Sequence, residues 1–89
     1  MSLIKRVVLD VLKPHQPNAL EFARVLADKH DGCYVTVTVI EVDEKTETTL
    51  VDISADDITY DAIVETITSL GGSVHSIDEV EVSSNTTDS

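Results

Sequence analysis

At 89 residues the chain is long enough for one hydrophobic core and too short for two, and an apolar fraction of 42% makes that core real but thin. Seventeen acidic residues against six Lys and Arg leave a formal net charge of -11, which repels phosphate backbones; two Tyr, one Phe and no Trp leave no platform for stacked bases, so nucleic acid is not an expected partner. No run approaches the ~18 apolar residues of a membrane helix and the N-terminus lacks an apolar signal segment, so a soluble, cytoplasmic chain with no membrane partner is expected.

The acidic, Lys-poor, Thr-rich and Val-rich balance also suits a cytoplasm holding molar salt, where the Debye length shrinks to ~3 Å. The single cysteine, Cys33, permits no internal disulfide and reads as a small buried thiol.

From Leu3 to Lys13 the chain alternates Val7, Leu9 and Val11 against Val8, Asp10 and Leu12, which predicts a strand with one apolar and one mixed face. Lys13-Pro14-His15-Gln16-Pro17 then forbids regular structure, because the prolines lack donors and restrict the residues before them. A helix is predicted from about Asn18 to His30. Asn18 is placed to cap it, with Glu21 three residues on; Phe22, Ala23, Leu26 and Ala27 form its inward stripe, and Gly32 follows its end. His30 falls where a cation or donor suits the helix C-terminus.

Cys33 to Val42 is the clearest strand, with Val35, Val37 and Val39 on one face and Thr36, Thr38 and Ile40 on the other. Asp43-Glu44-Lys45 is a polar turn into a further strand, Thr46 to Ser54, so these two make a hairpin. A second helix follows from about Thr59 to Leu70, where Tyr60, Ile63, Val64, Ile67 and Leu70 keep helical spacing and Gly71 suits a left-handed cap. The last strand, Ser73 to Val82, has inconsistent parity. Val80 and Val82 share a face with Asp78 while Ile77 lies on the other, which predicts a β-bulge near Asp78 or Glu79. Residues 1–83 form one domain in this reading, and 84–89 a disordered polar tail; Asn85-Thr86-Thr87 within it matches a glycosylation acceptor only in letters.

The order is β-α-β-β-α-β, with the second half repeating the first. Right-handed crossovers put both helices on one face of a four-stranded antiparallel sheet whose first and third strands are central, an α+β ferredoxin-like plait. Val7, Leu9, Val11, Val35, Val37, Val39, Val51 and Ile53 would lie under the helices. The open face is half apolar, which favours a homo-oligomer that covers it or that joins sheets at their edges.

Asp10 and Asp52 occupy equivalent places in the two halves, so the pseudo-twofold axis sets them on adjacent strands of the open face. Opposed residues would have Cβ atoms about 4.5–5.5 Å apart and diagonal ones about 7–8 Å, and either spacing suits a shared hard cation, Ca²⁺ or Mg²⁺. Asp78 and Glu79 fall toward Asp10 on the neighbouring strand and complete the candidate metal set of Asp10, Asp52, Asp78 and Glu79. At the end of the first strand Lys13, His15 and His75 form a candidate small-molecule site, because the last strand begins beside the Pro loop. Other uses of the plait fit less well. A metal chaperone needs a Cys-x-x-Cys loop, a phosphate cradle needs the amides that Pro14 and Pro17 remove, and RNA recognition needs aromatics on the open face.

The phrases Leu9-Asp10-Val11-Leu12-Lys13-Pro14-His15-Gln16-Pro17 and Gly71-Gly72-Ser73-Val74-His75-Ser76-Ile77-Asp78-Glu79-Val80 carry a resemblance that runs from about Ile4 to Glu81. On them the chain resembles an archaeal family of short proteins of unknown function, and the likeness implies a ferredoxin-like plait that forms homo-oligomers without implying a reaction. The expected role is a non-enzymatic homo-oligomer with acidic sites for divalent cations. The alternative is a regulatory module that binds a metabolite between subunits near His15 and His75.

Overall fold

The computed structural model describes residues 2–84; the tail residues 85–89, with the Asn85-Thr86-Thr87 match, lie outside the described residues. The elements follow the expected order: β1 (Leu3–Pro14), α1 (Ala19–Lys29), β2 (Tyr34–Val42), β3 (Thr46–Ser54), α2 (Tyr60–Ser69) and β4 (Ser73–Ser83). All strand pairings are antiparallel and the sheet order is β2-β3-β1-β4, so β1 and β3 are central and the fold is the ferredoxin-like plait.

Local chemistry sets the helix ends. Asn18 Oδ1 accepts from the Glu21 amide at 2.9 Å, satisfying one of the orphan donors of the first turn of α1. At the end of α2, the Gly72 amide donates to the Ile67 carbonyl and the Gly71 amide to that of Thr68, both at 2.9 Å. This is a Schellman closure, and Gly71 adopts the positive φ of +88° that it requires.

Between helices and sheet lie Val7, Leu9, Val11, Phe22, Leu26, Val51, Ile53, Ile58, Ile63 and Ile67, all buried, with Val35 and Val37 packed at the margin. Val39, expected in this layer, is instead 40% exposed. The reason is length. An 11-residue helix spans about 16 Å, whereas a 12-residue strand spans about 40 Å, and the molecule is 48 Å along its major axis. The hairpin end therefore runs beyond the helices, and residues 38–45 are exposed throughout.

The parity conflict in β4 is resolved by bulges. Pairing with β1 slips between Val8 and Leu9, leaving Asp78 extra, and again between Asp10 and Val11, leaving His75 extra. Val74, Ile77 and Val80 thereby stand opposite Val11, Leu9 and Val7, and the three apolar residues share the helix side. A further slip, between Val39 and Glu41, leaves Ile40 extra on β2.

Gly72 sits where the α2 closure meets β1. A Cβ there would stand 2.9 Å from Ile67 Cγ2, 3.2 Å from the Ile67 carbonyl oxygen and 3.3 Å from Val11 Cγ1. Ile67 is fully buried and cannot swing away, so Gly72→Ala is expected to destabilise the fold by about 1–3 kcal/mol, read from the urea midpoint at constant slope.

Candidate functional site

The sequence candidates lie in two groups, one on the open face of the sheet and one at the end where β1 meets the Pro loop. On the open face, Asp10 stands opposite Leu50 and Asp52 opposite Val8, so the two aspartates are diagonal neighbours, with the wider of the two expected spacings. What holds this face together is Arg6. Its Nε and Nη2 donate to Asp52 Oδ1 and Oδ2 at 3.1 and 2.8 Å, a bidentate fork, while Nη1 donates to Glu79 Oε2 at 2.6 Å and lies 3.5 Å from Glu81 Oε2. The bonds to Asp52 and then Glu79 raise the guanidinium pKa above its already high value, so Arg6 stays cationic.

The repeat symmetry is therefore broken chemically. Asp52 is satisfied by Arg6, whereas half-buried Asp10 has Leu50 and Ser76 as its cross-strand partners. Asp78 accepts from its own strand, through Ser76 Oγ at 2.6 Å. Among the described residues no group of three or more His, Cys, Asp or Glu is gathered as a metal site. Asp52 and Glu79 thus stand on either side of Val8 and are joined by Arg6, while Asp10 lies two residues farther along β1.

At the other site the structure separates the two histidines. His15 turns toward β3, where Nδ1 lies 3.1 Å from Glu47 Oε2 and Nε2 lies 3.0 Å from the Glu44 carbonyl oxygen. His75 is the extra, exposed residue of a β4 bulge, on the far side of β1. The expected approach of His15 to His75 is not what the fold builds, because two acceptors on the β2–β3 hairpin draw the His15 ring away. His30 caps α1 and bonds across the helices, Nε2 to Thr66 Oγ1 at 2.9 Å; the Thr66 hydroxyl donates to the Ala62 carbonyl, so His30 is the donor. Cys33 is half-buried and packs against the core, where burial pushes its thiol pKa up.

Lys13 continues the inward parity of Val7, Leu9 and Val11 and is fully buried. Its Nζ donates to Glu47 Oε1 at 2.9 Å and to the Pro14 carbonyl at 2.8 Å, and lies 5.8 Å from the Phe22 ring centroid, within cation–π range. Glu47 is its direct cross-strand partner. One carboxylate therefore serves two cations, Lys13 on one oxygen and His15 on the other. Lys13, then His15, hold the Glu47 pKa below its ordinary 4.5, and Glu47, then the Glu44 carbonyl, raise that of His15 above 6.5. The Glu47 contribution to stability is present above pH 4.5 and fades as pH falls through its lowered value. That of His15 is complete below pH 6.5 and fades as pH rises through its raised value, so the triad is whole between the two ordinary values.

Arg6 and Glu47 were not among the sequence candidates, although parity marks both. Arg6 shares the alternate positions of Val8 and Asp10, and Glu47 shares those of Thr49, Val51 and Ile53, so a lysine and a glutamate at core parity on adjacent strands signal a buried pair.

Glu47→Ala would leave the Lys13 ammonium buried and unpaired. We expect a loss of about 2–3 kcal/mol, below the full penalty for a buried pair because Glu47 keeps 16% of its side-chain surface exposed. The double variant Lys13→Met, Glu47→Leu is expected to recover most of that loss in urea unfolding at pH 6, since neither charge then remains to be desolvated.

Residues 5–88 match the model of the uncharacterised ArCR family, DUF211. The uncharacterised protein MJ0319 of Methanocaldococcus jannaschii is 45% identical over 80 residues, which cover 90% of this chain and 82% of the relative. These similarities span the sheet, both helices and both candidate sites, and the chain belongs to this archaeal family of uncharacterised proteins.

Proposed function

We propose that this chain is a non-catalytic subunit that assembles with copies of itself along the edges of its sheet, with divalent cations at its carboxylates offsetting the charge that assembly concentrates. One observation carries the reading. Side chains more than half exposed include Ile40 and Val42 on β2 and Ile77, Val80 and Val82 on β4, and these are the two edge strands. Scattered exposed apolar residues are ordinary, but rows of them on unpaired edges are what solitary sheets avoid. An edge-to-edge contact of β2 with β4 of the next copy is head-to-tail, and such contacts close into rings when the rotation permits.

The opposing force is the net charge of -11 per chain. Arg6 offsets Asp52, Glu79 and Glu81, which leaves Asp10 and the exposed Asp78 as the points where Ca²⁺ or Mg²⁺ would add most. A non-catalytic role is supported by how the reactive groups are used. The Lys13 amine and both nitrogens of His15 are committed to Glu47 and to backbone carbonyls.

Light scattering coupled to chromatography is expected to give a mass that is a multiple of 9.7 kDa, to fall with chelator, and to collapse toward the monomer in Val80→Lys. A single monomer mass under every condition would end the assembly reading. Calorimetric titration with Ca²⁺ and Mg²⁺ at physiological salt is expected to release heat that Asp10→Asn reduces, and silence with the wild-type chain would end the cation reading.

A further inference from the structure

We propose that His15 is a proton-operated latch that fastens the turn of the β2–β3 hairpin to the loop leaving β1. The inference rests on the kind of partner each ring nitrogen faces. Nδ1 is 3.1 Å from Glu47 Oε2, and Nε2 is 3.0 Å from the Glu44 carbonyl oxygen. Neither partner has a proton to give. A backbone carbonyl only accepts, and the Glu47 carboxylate already takes a proton donor, the Lys13 ammonium, on its other oxygen.

A neutral imidazole carries one N–H and can donate to one of these acceptors. Only the imidazolium donates to both, so the observed arrangement is that of the protonated ring. The groups facing it agree in sign: Glu47 from β3 and the carbonyls of Glu44 and Asp43 from the turn favour the charged form. Lys13 from β1 opposes it in sign, and it lies on the far oxygen of Glu47.

When the ring loses its proton to solvent, the charge-assisted bond to Glu47 is the one to persist, and the bond to the Glu44 carbonyl is released. Glu44 belongs to the turn closed by the Asp43 amide on the Thr46 carbonyl at 2.8 Å, and its neighbours are exposed. With Nε2 disengaged, the turn loses its tie to the Pro loop and the hairpin end is free to open locally. Ile40 and Val42 lie on this hairpin, so the latch would also tune the edge offered to another copy; that link, unlike the latch, rests on the self-association reading.

The test is a side-chain nitrogen NMR titration of the full chain, with amide exchange followed at residues 43–46. His15 is expected to carry protons on both nitrogens below its midpoint and on Nδ1 alone above it, with that midpoint above pH 6.5. Exchange at the turn, corrected for intrinsic base catalysis, is expected to rise severalfold through the same midpoint. In His15→Gln, whose amide has one donor group, the corrected exchange should be the same at pH 5.5 and pH 8.5. A neutral His15 ring at pH 6, or corrected exchange in the wild-type chain that is flat across the His15 titration, overturns the latch. The wild-type titration decides this even if His15→Gln folds poorly, and light scattering at the same two pH values reports separately on assembly.

Discussion

Everything at the hairpin end of this molecule depends on where the Lys13 ammonium is put. A strand that alternates Val7, Leu9, Val11 must send its next inward residue to the same side, and in this chain that residue is charged. Burial of an ammonium is tolerated only with a carboxylate and further acceptors in reach, and Glu47, the Pro14 carbonyl and the Phe22 ring supply them. Because Glu47 is directly opposite Lys13, the pair also fixes the β1–β3 register. A slip of one residue would put one of the two charges on the opposite face and leave the other in the inner layer without its partner.

Arg6 does the corresponding work at the other end of β1 and on the other face. It stands opposite Ser54 and reaches diagonally to Asp52, and from the same position it ties β4 through Glu79 and Glu81. The two cations thus clamp the central strand to its neighbours at opposite ends and on opposite faces. In a chain with only six Lys and Arg against seventeen acids, these two carry a structural role that the plentiful acids cannot share among themselves.

The architecture was legible because it is written in local periods. Alternation gave β1, β2 and β3, helical spacing with Asn18 and Gly71 gave α1 and α2 to within a residue or two, and the broken parity of Ser73 to Val82 announced the bulge found at Asp78. The site was less legible because it depends on contacts between strands. Equivalent positions in two halves place Asp10 and Asp52 on one face, but nothing along the chain states that Arg6 would choose Asp52. His15 follows a proline and its direction is set by acceptors about thirty residues away in sequence, Glu44 and Glu47, so proximity of the β4 start alone misplaced it. Val39 failed for a simpler reason, since periodicity assigns a face but not how far the opposing helix extends.

The bulges of β4 have a consequence for how this protein can change over time. With Asp78 and His75 each occupying an unpaired place, Val74, Ile77 and Val80 keep one side only while the spacing between them stays at three. Replacement of one residue type by another leaves that spacing intact. Gain or loss of a single residue between Val74 and Val80 does not, because it exchanges apolar and acidic side chains along the rest of the strand. Divergence in this segment is therefore confined to substitution, and a constant length between α2 and the end of β4 is the trace that descent should leave in this family.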